Sequence, residues 1–168
     1  MVAARSGAEQ EPCPALAELF HLHYRSLFRL AALLTGDTGT AQAVVLDAFA
    51  ALGRPRKGTY ENGLPWLLRL VVARSRRLMR QRGADGDGQP VPTGASGRLP
   101  EAPRFGNSAV VAALRALPAG QREAVVLTLY LDLPEEQAAA AMRVSQATVR
   151  HLLATARTAL RNVLPGPG

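Results

Sequence analysis

Between Leu16 and Leu34 the apolar residues Leu16, Leu19, Phe20, Tyr24, Leu27, Phe28, Ala31 and Leu34 return every three or four positions. That period lays one apolar stripe along a helix, and Gly36 is suited to stop it. The stretch from about Thr38 to Leu52 repeats the period with Ala41, Val45, Ala48, Phe49 and Leu52. After the loop "GRPRKGTYENG" a third helix is expected near Leu64, with Pro65 fitting its first turn. It would turn Leu67, Leu68, Val71, Val72 and Leu78 inward. Three such helices with short connections predict a small bundle.

The pattern fails from Gly83 to Asn107, where "GADGDGQPVPTGASGRLPEAPRFGN" is dominated by glycine and proline. That composition predicts a flexible linker with a coil dimension on the order of 25–30 Å. Periodicity resumes with Val110, Val111, Leu114 and Leu117, up to Pro118. A helix from Gln121 to Leu131 is expected to bury Val125, Val126 and Leu129. The next helix is "PEEQAAAAM", and the last starts in "VSQATVRHLLATAR" and continues through Leu160 and Val163. Only "RV" separates these two, a spacing that forces the sharp bend of a helix-turn-helix. The fold class expected is all-α: two small helical bundles joined by a flexible linker, the second containing the helix-turn-helix. The boundaries expected are a disordered N-terminus over 1–14, a first domain over 15–82, a linker over 83–107 and a second domain over 108–164.

Composition sharpens this picture. At 168 residues the chain is long enough for two small helical domains, and its core must come from Leu, Val and Ala because aromatics make up 5%. A net charge of +7 favours an acidic partner, most simply nucleic acid. The charge is uneven. Residues 15–82 hold eleven basic and four acidic residues, a surplus of seven, whereas 108–164 hold six and four, a surplus of two. Within the first domain "RLVVARSRRLMRQR" carries Arg69, Arg74, Arg76, Arg77, Arg80 and Arg82 with no intervening acid, a pattern suited to phosphates. Lys57 is the only lysine, so the choice of arginine elsewhere reflects general composition and says little about bidentate recognition.

Candidate chemistry is sparse. Cys13 stands alone, excluding an intramolecular disulfide and a multi-cysteine zinc site. His21 and His23 are two apart on a helix and point to different faces, and His151 is isolated, so no metal and no cofactor is expected. No glycine-rich phosphate loop follows a strand and no catalytic constellation stands out, so an enzyme is not expected. No apolar run approaches the ~20 residues of a membrane span, and "MVAARSGAEQEPCP" lacks an apolar signal core. The expected setting is the cytoplasm, with no membrane and no small-molecule substrate as partner.

Taken together the motifs resemble bacterial RNA polymerase sigma factors of the extracytoplasmic-function class, in their short actinobacterial form. "FHLHYRSLFRLAALLTGD" is similar to the opening helix of the family's polymerase-binding domain, "AQAVVLDAFAAL" to its second helix and "LPWLLRLVVARSRR" to the promoter-melting helix. The stretch "ALRALPAGQREAVVLTLYLDLPEEQAAAAMRVSQATVRHLLATARTALR" is similar to the upstream-promoter-binding domain, with the Leu-Pro, spacer, Gln-Arg-Glu phrase intact from Leu117 to Leu127.

The resemblance implies a non-enzymatic protein that binds core RNA polymerase and promoter DNA, with an anti-sigma factor as a further partner. Ser145 would cap the recognition helix, while Gln146, Thr148, Arg150 and His151 face the major groove. Arg74, Arg76, Arg77 and Arg80 would grip phosphates beside the melted strand. Lys57, Tyr60 and Asn62 would hold an exposed base, with Tyr60 as a stacking platform. Trp66 is read as a packing residue. Gln42 and Asp47 would meet polymerase.

Several positions depart from the family pattern. Gln42, Ala43 and Leu46 replace acids and a glutamine, Ser75 replaces asparagine, Arg143 the turn glycine and Pro134 a capping serine. Leu152, Ala154 and Thr155 stand where charge is common. These departures leave an alternative open: a degenerate sigma-like regulator that occupies polymerase or an anti-sigma partner without initiating transcription. A DNA-binding repressor using only the C-terminal domain is the third reading.

Overall fold

The structure, a computed structural model, describes residues 14–53, 63–85 and 109–163. All regular structure among these residues is helical. The elements are α1 (Pro14–Thr35), α2 (Thr38–Leu52), α3 (Gly63–Asp85), α4 (Ala109–Ala116), α5 (Ala119–Val125), a π turn (Val126–Tyr130), α6 (Glu135–Met142) and α7 (Gln146–Val163). Helix α3 extends three residues into the stretch expected as linker. The rest of that stretch lies outside the described residues, as do Lys57, Tyr60, Asn62 and residues 1–13.

Helices α1, α2 and α3 form the first bundle for the reasons their periodicity gives. Tyr24, Leu27, Phe28 and Ala31 of α1 meet Val45, Ala48 and Phe49 of α2 and Leu67, Leu68, Val71 and Val72 of α3 in a shared core. Phe20 stands edge-on to Phe49 at 5.0 Å and tilted against Tyr24 at 4.7 Å, closing one end. Burial pushes the Tyr24 hydroxyl above its ordinary pKa. Gly36 stops α1 at φ +73°, a left-handed conformation that glycine adopts without penalty. Asp37 then starts α2, its carboxylate accepting from the Thr40 backbone N–H at 2.7 Å. Arg82, near the end of α3, reaches back to donate to the Thr40 hydroxyl at 2.5 Å. Those bonds tie the start of α2 to the far end of the basic helix.

The buried side chains of the two units form one continuous core. Leu30, Ala32 and Leu33, off the expected stripe of α1, are buried as well. Beside this part of the chain lie α4, α5 and the π turn, while α6 packs along α3. A fully buried leucine contributes about 1.5–3 kcal/mol, so this second face of α1 is a substantial part of what holds the units together.

Two expected core positions are corrected. Val110 is 53% exposed and Leu129 is 56% exposed. For Leu129 the cause is the π turn. The Leu131 N–H donates to Val126 C=O at 3.0 Å, five residues back, which inserts one extra residue into the helical register. Leu127 is therefore buried while Leu129 and Tyr130 turn outward. Val110 sits at the exposed start of α4, in the first turn, before the helix reaches its buried Ala113 and Leu114.

Candidate nucleic-acid interface

The helix-turn-helix is built from α6, a three-residue turn and α7. Ala138, Ala139, Ala141 and Met142 bury one side of α6. Arg143 takes the left-handed conformation, φ 57° and ψ 45°, that the turn demands. Its neighbour Val144 donates to Ala139 C=O at 3.0 Å, the 6→1 bond of a Schellman motif. A side chain in that conformation costs roughly 1–2 kcal/mol, offset here by the closed turn. Pro134 precedes α6 without a side-chain cap, and Glu135 and Glu136 supply negative charge to its first turn.

Ser145 begins α7 as expected, its Oγ accepting from the Thr148 N–H at 3.1 Å. Val149, Leu153 and Ala156 are buried, one every three or four residues. Gln146, Thr148, Arg150 and His151 face outward, and Arg157 and Arg161 extend the exposed positive charge along the helix. Of the three positions noted for lacking charge, Leu152 is half-buried and lies against Gly120 of α5, so it is a packing residue. Thr155 returns its hydroxyl to the carbonyls of His151 and Leu152, at 3.1 and 3.0 Å. Arg150 is not free: its Nε donates to Glu135 Oε2 of α6 at 2.7 Å.

On α3 the arginines divide. Arg77 and Arg80 are exposed. Arg74 lies against the carboxylate of Asp47 on α2, and burial together with the Arg77 charge holds its guanidinium below the ordinary pKa. That contact also engages Asp47, expected to meet polymerase; Gln42 lies half-buried five residues earlier on α2.

Arg76 corrects the expectation of an outward row. Its Nε reaches both oxygens of Glu123 on α5, at 2.7 and 2.8 Å, and Nη1 donates to Met142 C=O of α6 at 3.2 Å. The physical reason is helical spacing. With 3.6 residues per turn, positions 76 and 77 point about a quarter-turn apart, so the side of α3 covered by the second unit takes Arg76 while Arg77 stays in solvent. The hydrogen bonds that Arg76 donates to the Glu123 carboxylate hold its guanidinium above the ordinary pKa.

Sequence reasoning named Arg122 and Glu123 only as part of a motif, without a role. Arg122 donates to the carbonyls of Leu114, Arg115 and Leu117 at the end of α4 and to Leu34 C=O at the end of α1, at 2.8–3.0 Å. A cation at two helix C-termini is well placed against both dipoles. Burial presses the Arg122 guanidinium below its ordinary pKa. Arg115 adds a second bridge, to Gly36 C=O. Between α3 and α5 a cavity of about 330 Å³ remains, lined in part by Met79, Arg80 and Ser75. The buried Ser75 Oγ has no hydrogen-bond partner among the described residues.

Trp66 is half-buried and packed against the core, as a structural residue should be. Its remaining surface shares a shallow pocket with Arg69 and Arg143. Among the described residues no cluster of His, Cys, Asp or Glu could hold a metal, and no helix is long and apolar enough to cross a membrane.

Residues 108–160 match the family described as "Sigma-70, region 4". The whole structure is similar to that of sigma factor RpoE from Bartonella quintana, solved with its anti-sigma factor NepR. The TM-score is 0.70 at 23% identity, over 93% of this chain and 100% of that one. It is also similar to CnrH, solved in complex with the cytosolic domain of CnrY, with a TM-score of 0.63 at 20% identity over 91% and 89% of the two chains. No curated protein sequence matches the chain. Residues 108–160 are thus similar to sigma-70 region 4, and they sit in a chain whose fold is similar to that of the RpoE and CnrH structures.

Proposed function

We propose that this protein is a sigma factor for transcription initiation, which binds core RNA polymerase and recognises promoter DNA. One observation carries the reading. The segment matching region 4 ends in a capped helix whose first turns expose Gln146, Thr148, Arg150 and His151 over a buried Val149–Leu153–Ala156 stripe. That is how a recognition helix enters a major groove. Gln146 then reads adenine and Arg150 guanine, while Thr148 and His151 serve as further groove contacts and Ser145 fixes the helix start.

Arg77 and Arg80 hold phosphates beside the melted strand, joined by Arg74 and Arg76 once their carboxylate partners let go. Lys57, Tyr60 and Asn62 receive an exposed base. The surface around Gln42 and Asp47 meets polymerase. The work is binding, not catalysis, and takes place in the cytoplasm. The similar RpoE structure was solved with an anti-sigma factor, which supports an anti-sigma factor as a partner of this chain too.

Run-off transcription with purified chain, core polymerase and genomic promoters tests this. A specific transcript that depends on the chain is expected; none at any salt concentration overturns the reading.

A further inference from the structure

Arg150 and Glu135 sit on different helices of the helix-turn-helix, fifteen residues apart, and meet on its exposed surface. Only one guanidinium nitrogen is engaged: Nε donates to Glu135 Oε2 at 2.7 Å, and among the described residues Nη1 and Nη2 have no partner. An arginine fork has two faces, and a carboxylate occupying the Nε side leaves the two terminal nitrogens. Those can satisfy the paired acceptors O6 and N7 of guanine. The carboxylate also removes rotamers from a long side chain, so less freedom is lost when the fork meets a base.

We infer that Glu135 is the positioning residue that turns Arg150 into a guanine reader, so that the upstream promoter element contains a G·C pair this fork selects. The inference rests on the sigma-factor reading and deepens it. Glu135 works against overall affinity, because a carboxylate near phosphates is repelled, and works for discrimination, because a pinned fork tolerates one base edge. Gln146 lies one turn before Arg150, at i and i+4 on the same side of α7. Its amide is therefore placed to read the neighbouring pair, for which adenine is the suited base.

The opposite possibility has a distinct signature. Were Glu135 merely neutralising Arg150, its removal would strengthen binding to every duplex alike and leave base preference untouched.

The test uses the full chain assembled with core polymerase, and selection of promoters from a pool randomised in the upstream element. Wild type is expected to require guanine at one position, with at least about a tenfold loss when it is replaced by adenine. Glu135→Ala should bind non-specific duplex as tightly as wild type or tighter, while discrimination at that position falls to within about threefold. Arg150→Lys keeps the charge but loses the fork, so it should lose the same discrimination with an unchanged salt slope. Both side chains are exposed, and melting temperatures close to wild type establish that the variants fold. Undiminished discrimination in Glu135→Ala, or no guanine position sensitive to Arg150→Lys, overturns the inference and leaves the sigma-factor reading standing. Failure of wild type to enrich any duplex overturns both.

Discussion

Glu123 of α5 takes the guanidinium of Arg76 of α3 on both carboxylate oxygens, and this pair lies at the boundary between the two units of the fold. Glu123 is 3% exposed, so its charge is compatible with the interior only while Arg76 is present. Removing one partner of a buried pair costs about 3–5 kcal/mol, because the other charge is stranded, whereas replacing both by apolar residues is often near neutral. Arg76→Ala should therefore destabilise the protein by a few kcal/mol in urea denaturation. The double variant Arg76→Met, Glu123→Leu should recover most of that loss. A single variant as stable as wild type would show that the units do not depend on the pair.

Asp37 gives the fold a pH dependence in acid. Its carboxyl is held below the usual aspartate range, first by the hydrogen bond from the Thr40 side chain. A depressed carboxyl contributes stability above its unfolded pKa and loses that contribution as pH falls through the lower folded value. Asp37→Ala should thus be about 1 kcal/mol less stable than wild type at pH 7. The gap should close below about pH 4. Asp37→Asn keeps the cap without the charge, and thermal melts across pH should show it lacking this acid-sensitive component.

Arg143 holds a conformation that glycine would hold without strain. Relief of roughly 1–2 kcal/mol is partly offset by the greater entropy glycine recovers on unfolding, about 0.5–1 kcal/mol. Arg143→Gly should raise stability by up to about 1 kcal/mol, seen as a rise of a few degrees in Tm.

Ser75 is 2% exposed, and among the described residues its hydroxyl has no hydrogen-bond partner. An unsatisfied buried polar group costs on the order of 1–3 kcal/mol. Ser75→Ala should consequently stabilise the fold, and calorimetry that found it less stable would reveal a partner for that oxygen.

Arg77 and Arg80 should behave differently from Arg76 towards DNA. Each lost phosphate contact lowers the slope of log K against log salt by about 0.9 on duplex and 0.7 on single strands. Arg77→Gln and Arg80→Gln should each show that drop in fluorescence titrations. Arg76→Gln, spoken for by Glu123, should change stability more than the slope while the units remain docked.

Much of this fold could be read from the chain, for identifiable reasons. Helices α1, α2 and α3 obey a period set by burial on one side, and Ser145, Gly36 and Arg143 occupy positions whose backbone demands are local. The joining of the two units was not legible. Arg76 and Glu123 are 47 residues apart, and no periodicity couples them. A run of arginines without acids looks wholly solvent-facing until a distant carboxylate is folded onto it. Likewise Leu152 reads as a missing charge on α7 until Gly120 of α5 is beside it. Leu129 failed for a third reason: a period-based reading assumes 3.6 residues per turn, and the turn at Val126–Tyr130 is wider.

That wide turn has an evolutionary corollary. A sequence one residue shorter between Val126 and Tyr130 could run on as ordinary α-helix, and Tyr130 would swing by about 100° around the axis. Insertions and deletions at this point change the register of everything downstream, and because α6 packs along α3 and α7 against α5, a single codon gained or lost there has to be met by repacking at both contacts.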